Sequence, residues 1–154
     1  MTTPEVRSIL FVCLGNICRS PMAAGIVRSL VVSRQPPLAI ESAGVGPWHV
    51  GKPPDGRAVA AAQRGGIDLF EDRARMLTED DFHTFDLILA MDSLVLADIC
   101  QRAPAGASAR IALFRAFAEG VERDVPDPYY GGDDGFDEVF VEIEAAARAL
   151  LARL

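Results

Sequence analysis

One short stretch near the amino terminus limits the possible folds more than any other. Residues 8–12 form an apolar run that predicts a fully buried strand. Apolar residues then recur at helical spacing over residues 22–30. Ser20 and Pro21 mark the start of that helix, because proline lacks the amide hydrogen that would go unbonded there. The sequence therefore predicts a tight loop, residues 13–19, between a buried strand and a helix amino terminus.

This loop is suited to hold an anion. It turns successive backbone N–H groups inward, and the helix dipole adds partial positive charge. Cys13 opens the loop and Arg19 closes it, so the same groups should stabilise a thiolate. Gly15 and Asn16 are residue types that tolerate a positive φ. Cys-x5-Arg alone is a weak pattern, and the alternative is a buried cysteine at the end of a strand in an ordinary turn.

The rest of the chain alternates strand and helix patterns. Further strands are predicted at residues 38–44, 85–91 and 110–114. Further helices are predicted at residues 56–64, 92–102 and about 136–150, and residues 78–81 are expected to form the capped first turn of a short helix. Asp92 is interpreted as a helix N-cap, and residues 115–134 are expected to form a long loop. Mostly apolar strands between helices predict a parallel sheet covered on both faces. Ligands of such sheets bind beyond the carboxyl ends of the strands, which is where Cys13 lies.

Composition narrows the classes of function. The 154 residues suit one globular domain, and half of them are hydrophobic. A net charge of −7 argues against nucleic acid or an anionic membrane as the main partner. No signal peptide or membrane span is recognised, and three cysteines do not make a secreted disulfide framework, so we expect a cytoplasmic protein. His49 and His83 lack metal-ligand spacing, so neither metal nor cofactor is predicted.

Two motifs resemble those of one family. Residues 12–21, Val-Cys-Leu-Gly-Asn-Ile-Cys-Arg-Ser-Pro, resemble the signature loop of the low-molecular-weight protein tyrosine phosphatases. Residues 127–130, Asp-Pro-Tyr-Tyr, resemble the acid-loop motif of the same family, and the resemblance extends over residues 9–150. It implies that residues 1–154 form a single domain of this type. The implied fold is an α/β three-layer sandwich, with four parallel strands in the order 2-1-3-4 and helices on both faces.

The resemblance also implies a reaction. A protein tyrosine phosphatase of this family hydrolyses phosphotyrosine and small aryl phosphate monoesters through a phosphocysteine intermediate. Cys13 would be the nucleophile, and Arg19 would bind two phosphate oxygens in a fork, as lysine cannot. Asp127 would be the general acid and later the general base. An aspartate between two prolines is by itself more often a turn residue, and only the motif match assigns it this role.

Supporting roles follow from the same resemblance. Substrate-binding positions are implied in the loop, at the helix start and in two aromatic walls: Leu14, Gly15, Asn16, Ile17, Cys18, Ser20, Trp48, Tyr129 and Tyr130. Ser20 would hydrogen-bond the thiolate, and Asn16, helped by Ser42, would fix the loop conformation. Cys18 would either form a reversible disulfide with Cys13, as in some relatives, or be a small buried residue. Cys100 is expected in the core.

The implied partners are a phosphotyrosine protein and, in the loop, inorganic phosphate or a similar oxyanion. We expect a monomer. The alternatives are an arsenate reductase of the same fold, a non-catalytic phosphotyrosine-binding module and a flavodoxin-like domain. Arsenate reduction needs two further cysteines downstream, and only Cys100 is available. Relatives often carry a histidine where Asp72 or Arg73 stands and a glutamine in place of Met76, which leaves open what braces Asn16.

Overall fold

The computed structural model describes residues 5–154 and contains one parallel sheet. Its four strands are β1 Ser8–Cys13, β2 Ala39–Gly44, β3 Leu87–Ala90 and β4 Arg110–Leu113. They lie in the order β2-β1-β3-β4, which confirms the implied topology. All three pairings are parallel. Since β1 is hydrogen-bonded on both sides, it is in the interior of the sheet. We call the predicted loop that follows it, residues 13–19, the anion loop.

Helices cover both faces of the sheet. They are α1 Arg19–Leu30, α2 Gly56–Arg64, α3 Asp81–Thr84, α4 Ser93–Arg102, α5 Phe114–Glu119 and α6 Asp133–Arg153. Alternating side chains of β1 point to opposite faces. Ile9 and Phe11 pack in a core with α1, α2, α5 and α6, whereas Leu10 and Val12 pack in a second core with α3 and α4. The three-layer sandwich is thereby confirmed. Within residues 5–154, none of the helices combines the length and the hydropathy that crossing a membrane requires.

The carboxyl ends of the inner strands meet at one edge. Cys13 is in register with Gly44 of β2, and Val12 is in register with Ala90 of β3. The chain leaves β1 toward β2 on one side and later returns to β3 on the other, so the strand order reverses beside β1. In sheets of this type the crevice at that point binds ligands. The fold therefore places Cys13 where a ligand site is expected.

The predicted loop over residues 115–134 is wrong at its start, because α5 occupies Phe114–Glu119. Phe114 is buried and packs edge-on against Phe11 of β1, with ring centroids 5.4 Å apart. Arg115 pairs with Glu119 one turn later at 2.6 Å and with Glu142 of α6 at 3.2 Å. A helix of six residues is too short to show a helical period in the sequence, and these tertiary contacts stabilise it.

The expectation that Cys100 lies in the core is also wrong. Cys100 is exposed, whereas Val95 and Ile99 are the buried residues of α4. Successive residues of a helix are rotated by about 100° around its axis. Cys100 follows Ile99 directly and therefore points away from the sheet.

Gly44 at the end of β2 offers a test of how closely the sheet supports the anion loop. A Cβ atom at this position would lie 3.0 Å from the backbone nitrogen of Asn16 and 3.0 Å from the carbonyl carbon of Gly15. We predict that Gly44→Ala lowers the free energy of unfolding by about 1–3 kcal/mol, because the loop backbone must shift. Denaturant unfolding measures this change. Gly56→Ala is the control, because the space around Gly56 is open and alanine favours the helix, so it should be neutral or stabilising by up to about 1 kcal/mol.

Candidate active site

The sulfur of Cys13 lies at the base of a cleft. Only 2% of Cys13 is exposed, yet the residue lines a cavity of about 290 Å³ at the carboxyl edge of the sheet. The Asn16 backbone N–H donates to Cys13 Sγ at 3.2 Å, and Ser20 Oγ lies 3.0 Å from the sulfur. Two polar hydrogens can therefore stabilise negative charge on this sulfur. These contacts follow from the tight turn of the anion loop, residues 13–19, onto the first turn of α1.

Asn16 braces the anion loop from behind. Its backbone has a φ of 59°, as the sequence predicts for this position, whereas the φ of Gly15 is not in the left-handed region. Asn16 Nδ2 donates to Ser20 Oγ at 2.8 Å and to Ser42 Oγ at 2.9 Å. Asn16 Oδ1 accepts a hydrogen bond from the backbone N–H of Arg75 at 3.0 Å. The backbone amide of Arg75 is thus the group that braces Asn16 from this side, which the sequence had left open.

Glycine at position 15 has a packing reason. A Cβ atom there would lie 2.9 Å from Cδ2 of His49, so a larger residue would push that imidazole away. His49 lines the cleft and was not among the predicted site residues. The sequence offered one indication of this role, because His49 directly follows Trp48, which was assigned to the cleft.

Arg19 is a buried cation with three partners. Nη1 donates to Asp92 Oδ2 at 2.6 Å and to the Val125 carbonyl oxygen at 3.0 Å, and Nη2 lies 3.5 Å from Asp127 Oδ2. Burial lowers the pKa of this guanidinium. The negative charges of Cys13 and Asp127 and the hydrogen bond to Asp92 outweigh that effect and raise the pKa above its ordinary value. Arg19 is thus a permanent cation beside the Cys13 sulfur.

Asp92 has a second contact that the sequence interpretation missed. It is the N-cap of α4, as predicted, and its Oδ1 accepts from the Val95 N–H at 2.8 Å. Its other carboxylate oxygen holds Arg19. The signal was its place in the chain: Asp92 follows β3, which lies next to β1, so both strands deliver their next residues to the same edge.

Asp127 reaches the cleft from a separate segment, residues 126–131, which we call the acid loop. Its Oδ1 accepts a hydrogen bond from the Tyr129 N–H at 3.0 Å, which orients the carboxylate. Its Oδ2 is the oxygen nearer to Arg19. Val125 immediately precedes the loop and its N–H donates to the Met91 carbonyl at 2.8 Å, which ties the loop to the end of β3. A carboxyl group is thereby brought to the wall of the cleft that contains Cys13.

The cleft collects most of the residues that the sequence singled out. Its lining consists of Cys13, Leu14, Gly15, Ile17, Cys18, Arg19, Trp48, His49, Asp127, Tyr129 and Tyr130. The other two predicted positions, Asn16 and Ser20, stand behind the loop and contact the lining residues. Tyr130 is 93% exposed and so belongs to the rim of the cleft rather than to its wall.

Cys18 differs from Cys13 in its surroundings. Burial raises the pKa of the Cys18 thiol, and the nearby charges of Asp55 and Cys13 raise it further. At neutral pH this thiol therefore stays protonated. Both cysteines are free thiols in the structure.

Fold and site together define a class of protein: a parallel α/β domain that brings a cysteine, an arginine and an aspartate together in one cleft at the edge of its sheet. Residues 8–154 match the family model described as low molecular weight phosphotyrosine protein phosphatase. The chain belongs to this family.

Individual relatives agree with this assignment. A Schizosaccharomyces pombe protein named low molecular weight phosphotyrosine protein phosphatase is 44% identical over 139 residues, 88% of each chain. The structure of Vibrio vulnificus Wzb in complex with benzylphosphonate is 29% identical with a TM-score of 0.86, over 97% of this chain and 100% of that one. The structure of the Drosophila arginine phosphatase DARP is 32% identical with a TM-score of 0.87, over 94% of this chain and 96% of that one.

The bracing of the loop predicts a graded response to mutation. Asn16→Ala removes three side-chain hydrogen bonds and places alanine at a φ of 59°. At about 1 kcal/mol for each bond and about 1–2 kcal/mol for the strained backbone, we expect the free energy of unfolding to fall by about 4–5 kcal/mol. Ser42→Ala removes only one of these bonds and should cost about 1 kcal/mol. Denaturant unfolding compares the two, and equal losses would contradict this account.

Proposed function

We propose that this protein is a protein tyrosine phosphatase that hydrolyses phosphotyrosine and small aryl phosphate monoesters through a phosphocysteine intermediate. The single observation that carries the proposal is the convergence of Cys13, Arg19 and Asp127 on one cleft, from two distant parts of the chain, the anion loop and the acid loop. Family membership supports the same activity.

The first chemical step transfers the phosphoryl group to sulfur. The Cys13 thiolate attacks phosphorus in line with the leaving oxygen, so a sulfur–phosphorus bond forms as the oxygen–phosphorus bond breaks. Charge spreads over the three equatorial oxygens, and the loop N–H groups stabilise it together with Nε and Nη2 of Arg19. Nη1 of Arg19 stays bonded to Asp92 and the Val125 carbonyl and orients the guanidinium. Asp127 donates its proton to the leaving phenolate oxygen. The released product is the dephosphorylated tyrosine side chain.

The second step regenerates the enzyme. Asp127, now a carboxylate, accepts a proton from a water molecule that attacks the phosphocysteine. The sulfur–phosphorus bond breaks, inorganic phosphate is released, and Cys13 leaves as a thiolate. Ser20 Oγ, 3.0 Å from the sulfur, stabilises that thiolate and so favours its departure.

The substrate class follows from the shape of the cleft. Trp48 and Tyr129 line it and offer aromatic surface to a flat ring. The sulfur is almost fully covered, so a phosphate must be carried on a long side chain to reach it. Phosphotyrosine has that length and phosphoserine does not. The benzylphosphonate complex of Wzb supports an aryl ligand in a cleft of this type.

Phosphoarginine is a second candidate substrate, because a structural neighbour is named an arginine phosphatase. Its planar guanidinium could also lie between Trp48 and Tyr129. An arsenate reductase is less well supported: Cys13 and Cys18 are the cysteines that line the cleft, and Cys100 lies exposed on α4.

The partners follow from the proposed reaction. We propose a phosphotyrosine protein as the macromolecular substrate and inorganic phosphate as the ligand of the anion loop. A single domain over residues 1–154, a monomeric state and a cytoplasmic location stay predictions.

The first test of the proposed function is the phosphatase activity of the wild-type protein and of variants at Cys13 and Arg19. Wild-type protein should hydrolyse p-nitrophenyl phosphate and a phosphotyrosine peptide without added metal, and leave a phosphoserine peptide intact. Cys13→Ser should abolish turnover, because a serine hydroxyl in this loop is a poor nucleophile. Arg19→Ala should lower kcat/KM by at least about 10²–10³-fold, because a buried donor to the transition state is lost.

The controls separate this activity from the alternatives. Cys100→Ser changes an exposed cysteine and should leave kcat/KM unchanged. Parallel assays with phosphoarginine, and with arsenate plus a thiol, compare the other activities directly. Wild-type protein that binds the phosphotyrosine peptide without turning it over would establish the non-catalytic binding module instead.

The general acid gives a separate prediction. For Asp127→Ala we expect kcat/KM on the phosphotyrosine peptide to fall about 10²–10⁴-fold, because its phenolate leaving group, with a pKa near 10, needs protonation. The loss on p-nitrophenyl phosphate should be much smaller, since nitrophenolate leaves readily without a proton. kcat/KM is the appropriate constant because it reports the steps up to loss of the leaving group. An equal effect on both substrates would remove Asp127 from the acid role.

A further inference from the structure

We propose that Asp55 and Arg57, at the start of α2, form a clamp that holds the acid loop against the anion loop, which makes Arg57 a positioning residue for Asp127. The proposal rests on the proposed function, because it assigns Arg57 to the proton-transfer step of that reaction. Neither residue was singled out in the sequence.

One end of the clamp is fixed to the anion loop. The backbone N–H of Asp55 donates to the carbonyl oxygen of Ile17 at 2.8 Å. The Asp55 carboxylate caps α2 by accepting from the Arg57 N–H at 2.8 Å. Asp55 is therefore held both by the loop that surrounds Cys13 and by a helix amino terminus, which favours its negative charge.

The other end of the clamp is the Arg57 guanidinium, which binds the acid loop. Nε and Nη2 donate to the two carboxylate oxygens of Asp55, each at 3.1 Å, in a bidentate pair. Nη2 also donates to the Tyr129 carbonyl at 2.9 Å, and Nη1 donates to the Gly131 carbonyl at 3.1 Å. The hydrogen bond from Arg57 lowers the pKa of the Asp55 carboxyl, which keeps the pair ionised at neutral pH.

Two aromatic rings pack against this guanidinium. Its central carbon lies 4.6 Å from the ring centroid of Phe136 in α6 and 5.5 Å from that of Tyr129 in the acid loop. Phe136 is fully buried, so the cation rests on a rigid surface. Arg57 therefore makes directional contacts with both carbonyls and has little freedom to turn away.

The hydrogen bonds from Arg57 are the main polar contacts between the backbone of the acid loop and the rest of the protein. Within residues 5–154, the carbonyls of Tyr129 and Gly131 are the backbone groups of the acid loop that hydrogen-bond outside it, and both bond to Arg57. The loop's other backbone bonds, from Gly131 N–H to the Pro128 carbonyl and from Tyr129 N–H to Asp127, are internal. Without Arg57 the backbone of the acid loop is held only at its start, where Val125 bonds to the Met91 carbonyl and to Arg19.

Tyr129 links Arg57 to the proposed acid, Asp127. Its carbonyl is held by Arg57, and its N–H donates to Asp127 Oδ1 at 3.0 Å. The residue that the clamp holds is thus the residue that orients the proposed acid. A misplacement of about 1 Å in a catalytic group can cost about 10²-fold in rate. The clamp should therefore affect proton donation to the leaving group and spare the attack by Cys13.

The test is the leaving-group dependence of Arg57→Ala. We expect kcat/KM on a phosphotyrosine peptide to fall at least about tenfold further than kcat/KM on p-nitrophenyl phosphate, because only the phenolate needs the proton. Arg64→Ala is the matched control. Arg64 lies on the same helix and makes a similar bidentate pair with Asp137 of α6, at 2.9 and 3.0 Å, but its substitution should leave the ratio of the two constants unchanged.

The double mutant Arg57→Ala, Asp127→Ala tests whether Arg57 acts by positioning Asp127 or by a general disturbance of the structure. If Arg57 acts through Asp127, adding Arg57→Ala to Asp127→Ala should lower kcat/KM by less than about twofold more. Arg57→Lys keeps the charge but loses the fork, so its ratio should lie between those of the wild type and Arg57→Ala, and it serves if the alanine variant folds poorly. Full multiplication of the two losses, or a ratio equal to that of the wild type in both Arg57 variants, would overturn the proposal.

Hydrogen exchange provides a readout that does not depend on activity. In Arg57→Ala the amides of Tyr129 and Gly131 should exchange faster than in the wild type or Arg64→Ala, because the acid loop opens more often. Wild-type protein that hydrolyses neither substrate would refute the proposed function, and the exchange data would still decide whether the clamp exists. Unchanged exchange would refute the clamp.

Discussion

A single buried guanidinium holds the site together. Arg19 lies under the surface at the edge of the sheet, where an unpaired charge would cost several kcal/mol. Its partners are Asp92 after β3, the carbonyl of Val125 and the carboxylate of Asp127. Because these partners come from two other parts of the chain, residue 92 and residues 125–127, pairing this one cation fixes both segments beside the anion loop.

The two halves of the site are supported in different ways. Asn16 braces the anion loop through buried hydrogen bonds to Ser20, Ser42 and the Arg75 amide, so this half is rigid. The acid loop lies on the surface, and Arg57 holds it through its carbonyls. This division gives the sulfur a buried support and the proposed acid a support at the surface.

Sequence patterns predicted the strands and the long helices well, since burial imposes a regular period on each. The predicted helix at residues 56–64 coincides with α2, and β2, β3 and β4 lie within their predicted runs. The pattern failed for α5, which is too short to show a period and is stabilised by Phe114 and Arg115 through contacts with distant residues. It also failed for Cys100, which was assigned to the core by residue type alone.

The sequence by itself determined the strands, the long helices, the position of the anion loop and the family of the protein. Strand and helix periods and the two motifs are local properties, so they can be read from the chain alone. The tertiary structure decided which residues meet. Asp92 contacts Arg19, His49 faces Gly15, and Arg57 joins the two loops only because the sheet order brings the carboxyl ends of β1 and β3 together and packs α2 beside them. Such contacts depend on long-range packing, which leaves no period in the chain.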